Sequence, residues 1–134
     1  MGGNGSDRPT GDSNSNILKG GNGSDVLNGG ADFDTADFSD KSLILSIFLI
    51  AGRSTFSITD ETDTLISIEN LTGGSGSDKL TDDSGANLLC GGAGDDFLKG
   101  GAGADTLNGG TGLNTADFSD KSASGVVNRS YEKL

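Results

Sequence analysis

Through most of the chain a single apolar side chain recurs every nine residues, set among glycines and polar residues. Counted from Gly2, four such units cover residues 2–37: GGNGSDRPT, GDSNSNILK, GGNGSDVLN and GGADFDTAD. Phase is lost over residues 38–72. Five further units then cover residues 73–117: GGSGSDKLT, DDSGANLLC, GGAGDDFLK, GGAGADTLN and GGTGLNTAD. Position eight is leucine except at Pro9, Ala36 and Ala116, and position six is Asp or Asn in every unit. Position four is glycine apart from Asn14 and Asp32. Asn and Asp are the side chains that best tolerate a left-handed backbone, so this position is predicted to have positive φ. Six residues of turn followed by three around one apolar side chain predict a turn and a very short strand. Neither holds alone, but stacked at about 4.8 Å per strand the leucines join into one column. A flexible linker has no reason to keep Asp and Leu in phase.

A longer echo overlies the short one. Residues 20–42 match residues 100–122, and both copies run into Thr-Ala-Asp-Phe-Ser-Asp-Lys-Ser. Between the runs, Leu43–Ile50 and Arg53–Ile58 are apolar and β-branched with Ala51-Gly52 between them, which predicts a β-hairpin insert. Its role is either a cap over the first half or, because Leu43–Ile50 carries no charge, a surface for self-association. The expected organisation is a first run (2–37), a hairpin insert (38–72), a second run (73–117) and a tail (118–134). The tail starts as the earlier insert does and then stops, so the sequence reads as a fragment or shortened array.

Composition narrows the picture. The 134 residues suit one domain, yet they include 24 glycines, one proline, no tryptophan and no histidine. So few large apolar side chains allow only a thin, extended core or a fold that needs outside help. A net charge of −11 makes a compact state repel itself, which a bound cation would relieve. It also argues against nucleic acid and anionic membranes as partners. Cys90 has no second cysteine to pair with and reads as incidental. The start lacks a basic-then-apolar leader, and Leu43–Ile50 is far short of the roughly 20 residues that span a bilayer. The expectation is a soluble chain with no membrane span.

The spacing suits a calcium site. Calcium takes six to eight oxygens, carboxylate or carbonyl, at about 2.3–2.6 Å. Glycine turns expose carbonyls, and position six adds charge at the turn's end. If each unit is half a coil, alternate units stack, pairing Asp7 with Asp25, Asn16 with Asp34, Asp78 with Asp96, Asn87 with Asp105, and Asp96 with Asn114. The backbone carbonyls of Gly3, Gly5, Gly21, Gly23, Gly74, Gly76, Gly92, Gly94, Gly101 and Gly103 complete the candidate ligand set. Asp7–Asp25 and Asp78–Asp96, with two carboxylates on regular turns, should bind best. Asp82 and Asp83 can assist Asn87–Asp105, and Asn16–Asp34 should be weakest. Pro9 should fray the first strand.

Other chemistry is missing. Without histidine there is no Ser-His or Cys-His catalysis and no His-ligated zinc. No Gly-Lys-Ser/Thr follows a glycine turn, so phosphate binding has no motif. The EF-hand spacing is not met, and carboxylate pairs such as Asp95-Asp96 fall in repeat phase. The chain is expected not to be an enzyme.

The units at 20–28, 73–81, 91–99 and 100–108 match G-G-x-G-x-D-x-U-x without departure, and the chain resembles the RTX (repeats-in-toxin), or haemolysin-type, calcium-binding repeat proteins. The stretch Asp63–Gly74 is also similar to the segment that leads into such repeats. The resemblance implies an all-β, right-handed parallel β-roll (a β-solenoid) with Ca2+ held between adjacent turns. It further implies a secreted bacterial protein, exported by a type I secretion apparatus, that folds on Ca2+ outside the cell. In that role it would stabilise or present an attached protein. Two rival roles are an adhesion or surface-layer segment and an accessory polysaccharide-binding module of a secreted enzyme.

Overall fold

The computed structural model describes residues 2–58, 61–120 and 129–130, and among these it contains strands and turns but no helix. The chain winds as a parallel β-roll. One face carries, in spatial order, β1 (Ile17–Leu18), β3 (Thr35–Asp37), β7 (Asn70–Thr72), β9 (Leu88–Ala93), β11 (Thr106–Thr111) and β13 (Arg129–Ser130). The other carries a sheet of β4 (Ser46–Phe48), β8 (Lys79–Thr81), β10 (Phe97–Lys99) and β12 (Thr115–Asp117). Beside it lies a smaller sheet of β2 (Val26–Asn28), β6 (Glu61–Ile66) and β5 (Arg53–Ile58). Register follows the repeat: Ile17 sits beside Thr35, Thr106 beside Leu88, and Phe97 between Lys79 and Thr115.

Three-residue strands persist because each contributes one inward side chain to a shared column. On the first face Leu18, Ala36, Leu71, Leu89 and Leu107 stack rung on rung, all of them buried. On the second, Ile47, Leu80 and Leu98 do the same, and Leu27 stacks on Leu65. Burying a leucine is worth about 1.5–3 kcal/mol, so the column supplies what no single strand can. Pleating turns position seven outward: Leu88 is 39% exposed while its neighbour Leu89 is 0% exposed. Near Pro9 no strand forms, only an isolated bridge from Thr10 to Asn28, since proline has no N–H to give the ladder.

The insert departs from the sequence expectation in its pairing. Leu43–Ile50 does not pair with Arg53–Ile58. Instead β4 runs parallel to β8 as a rung of the roll, and β5 forms its antiparallel hairpin with β6. The alternating pattern identifies a strand with one buried face but cannot name its partner. Here Leu45, Ile47 and Leu49 point inward in line with the Leu80 column. Phe38 and Phe56, both in the insert, are buried and meet edge to face, centroids 5.0 Å apart. Most of the tail, 121–128 and 131–134, lies outside the described residues.

Candidate metal centre

Position six forms a ladder down each edge of the roll. On one edge the Asp7 N–H donates to Asp25 Oδ1, the Asp25 N–H to Asp63 Oδ1, the Asp78 N–H to Asp96 Oδ1 and the Asp96 N–H to Asn114 Oδ1, each at 2.8 Å. On the other, the Asn16 N–H donates to Asp34 Oδ1 at 2.8 Å and the Asn87 N–H to Asp105 Oδ1 at 3.0 Å. All five pairs expected from the spacing are therefore stacked neighbours. Each carboxylate spends one oxygen on the backbone of the turn before it, which sets its direction.

At Asp7 and Asp78 the second oxygen accepts the N–H of Gly3 at 2.7 Å and of Gly74 at 2.9 Å, but at several other carboxylates it is left over. Oδ2 of Asp25, Asp34, Asp63, Asp82 and Asp96, and Oδ1 of Asn87, are buried without a hydrogen-bond partner. A buried unpaired acceptor costs about 1–3 kcal/mol, more when charged, so the carboxylates call for a cation. Burial raises Asp25, Asp63, Asp78, Asp96 and Glu69 above the ordinary carboxylate range. It pushes Asp82 up to about 8, with Asp83, Asp105 and Glu69 adding repulsion. Position one is glycine because the aspartate of its own unit folds over it: a Cβ on Gly20, Gly29, Gly91 or Gly100 would strike Asp25, Asp34, Asp96 or Asp105.

The turns supply carbonyls to the same gaps. Those of Gly3, Gly5, Gly74, Gly76, Gly92 and Gly94 face the next turn on their edge, as those of Asp83 and Gly85 face the turn of Gly101 and Gly103. Gly3 O also accepts the Asn22 N–H at 2.8 Å and Gly74 O the Ala93 N–H at 3.0 Å. Gly21 O differs, taking the Lys41 ammonium, while Gly23 N–H bonds Glu61. The positive φ expected at position four occurs at Gly5, Gly23, Asp32, Gly94, Gly103 and Gly112, but not at Asn14, Gly76 or Gly85. Among the described residues no three acidic or cysteine side chains converge on one point. An ion here needs carbonyls as well as carboxylates, and hard oxygens of both kinds, the carboxylate ones partly unpaired, fit calcium.

Sequence phase missed two members of the ladder. Asp63 and Glu69 occupy position-six places in the segment read as insert, where the Asp34 N–H donates to Glu69 Oε2 at 2.9 Å. Their signals were present: Glu69 lies nine residues before Asp78, and Asp63-Thr-Leu65 repeats the Asp-x-Leu pattern. Asp82, expected near the Asn87–Asp105 pair, is 4% exposed and close enough to feel the charge of Asp105 and Glu69. Conversely, the place above Asp78 is held by Leu45, whose N–H donates to Asp78 Oδ1 at 2.8 Å but which brings no oxygen side chain. Cys90 is half-buried, and burial raises its thiol, which keeps it protonated.

No curated protein matches the chain. The model of the RTX calcium-binding nonapeptide repeat, in its four-copy form, matches residues 1–36, 63–98 and 83–116. These segments take in both runs and also Asp63 and Glu69, the two ladder members that lie ahead of the second run's first glycine pair. With well over half of its length so matched, and with unpaired carboxylate oxygens buried at its stacked turns, the chain belongs to the RTX calcium-binding nonapeptide repeat family and binds Ca2+.

Proposed function

We propose that this chain is a secreted bacterial module that folds on Ca2+ after export through a type I apparatus and then stabilises or presents a protein attached to it. It does so without catalysis of its own. The observation that carries this reading is the row of buried carboxylates whose second oxygen has no partner. Without a cation each must either hold a proton or sit charged against its neighbours, so the folded form is costly. With calcium the same groups become ligands and binding stabilises only the folded form. Sites of about 10⁻⁴–10⁻³ M affinity, as in extracellular modules, stay empty in a calcium-poor cytosol and fill outside. Circular dichroism in millimolar calcium and in excess chelator tests it. Strand signal should rise with calcium and fall to a small remainder in excess chelator, and an unchanged spectrum refutes the reading.

A second reading has its own support. Leu43, Ile44, Phe48 and Ile50 are each at least half exposed on the segment that carries β4, forming an apolar strip that an adhesive or self-associating module would use. Sedimentation with and without calcium separates the two, since only this reading expects calcium-dependent association.

A further inference from the structure

The interval between the turn at 20–25 and strand β6 departs from the others. In regular intervals the position-two carbonyl is capped by a backbone N–H of the turn one coil on, as Gly3 O is by Asn22, Asp12 O by Ala31 and Gly74 O by Ala93. In the place stacked on the turn at 20–25, one coil on, there is no glycine turn. The chain enters β6 from an antiparallel hairpin, and residues 58–63 contain no glycine. Gly21 O is capped instead by Lys41 Nζ at 2.5 Å, and the same ammonium bonds Glu61 Oε2 at 2.9 Å. Lys41 is 8% exposed, a rare state for a lysine, which is kept only where its charge is met. Its backbone belongs to a different turn, since Lys41 O accepts the Ser75 N–H at 2.9 Å. The side chain therefore reaches from the turn stacked on the second run to the glycine turn at 20–25 in the first.

Two buried carboxylates share this interval. Asp25 and Asp63 are joined by the 2.8 Å bond from the Asp25 N–H, and Oδ2 of each is unpartnered. The ammonium draws both toward the ionised form, against burial and their mutual repulsion. At the stacked pair Asp78–Asp96, by contrast, no described lysine or arginine acts on either carboxylate. At Asp25 and Asp63 the chain itself carries the positive charge.

We propose that the Lys41 ammonium is a built-in cation that takes the place of Ca2+ between the 20–25 turn and β6, so that this junction closes without calcium. The assignment rests on the reading that Ca2+ sits between stacked turns. It divides the roll into calcium-dependent repeats and a calcium-independent seam that joins Asp25, Asp63 and Glu61 to the turn at 38–45. The sequence echo puts Lys121 in the corresponding place of the second copy, outside the described residues.

The test uses the full chain as wild type, Lys41→Met and Lys41→Arg. Calcium uptake is counted by isothermal titration, and exchange of the Asp25 and Thr64 amides is followed in chelator. The Thr64 N–H donates to Asp25 O at 2.8 Å, so it reports the seam directly. Lys41→Met should take up one calcium ion more than wild type, lose protection of both amides in chelator and regain it when calcium is added. Lys41→Arg, which keeps the charge, should match wild type. Wild-type uptake in Lys41→Met overturns the assignment, as does a Lys41→Met chain that stays unfolded at every calcium concentration. A wild-type chain that takes up no calcium would bring down the calcium reading itself, an outcome distinct from the other two.

Discussion

Leu88 and Leu89 are neighbours of identical chemistry on opposite sides of one strand, and they separate the core's contribution from composition. Leu89 is wholly buried between Leu71 and Leu107, whereas Leu88 is 39% exposed. Leu89→Ala removes a buried side chain from a column only one residue thick, with a cost of about 2–5 kcal/mol from lost transfer energy and the cavity left behind. Leu88→Ala should cost no more than about 0.5 kcal/mol, as for other surface changes. Folding is linked to calcium, so these costs are read as a shift in the calcium midpoint. Five stacked position-six pairs form among the repeats. If about five ions bind together and about 1.4 kcal/mol is worth tenfold, Leu89→Ala raises the midpoint by roughly two- to fivefold. Leu88→Ala should leave it within error. Calcium titrations followed by circular dichroism give both numbers from one protocol. Equal midpoints for the two variants would show that the leucine column does not hold the turns in place for the ion, and the link between core and metal centre would fail.

Two further outcomes follow from the site. Gly91→Ala should destabilise the calcium-bound fold by about 2–3 kcal/mol, because its Cβ meets Asp96 Oδ2 and comes 2.7 Å from Gly109 O. Gly3→Ala, whose Cβ meets nothing within 4 Å, should be silent, and urea melts in calcium measure both variants. In chelator, structure should increase on acidification. Asp82 holds its proton up to about 8 in the fold against an ordinary 3.8, so the stability it contributes is full below the ordinary value and is lost as pH rises through the folded one. Across that window the loss is about 1.4 kcal/mol per pH unit for this one group, and the raised values at Asp25, Asp63, Asp78, Asp96 and Glu69 act in the same direction. Strand signal that falls between pH 7 and pH 5 in chelator would contradict this.

What the sequence determined is what its periodicity encodes. Leucine at position eight and Asp or Asn at position six, repeated every nine residues, specify a coil in which alternate units stack. That alone places Asp7 on Asp25, Asp78 on Asp96 and Asn87 on Asp105, and makes calcium the natural ion. Asp32, at φ 75°, fits the reading of position four from its substitution pattern, whereas Asn14 does not take positive φ. Tertiary structure decided what happens where the period breaks. A strand's alternation marks which side is buried but not which strand lies beside it, so β4 joined β8 and left β5 to β6. Asp63 and Glu69 sit six residues apart, a shortened half-coil, so although Glu69 is in phase with Asp78 no single nine-residue frame holds both, and the hydrogen bonds from the Asp25 and Asp34 N–H groups place them in the ladder. The contact of Lys41 with Gly21 joins positions 20 residues apart through the end of a long side chain. Its partner depends on where the backbone carries it, and local sequence does not contain that information.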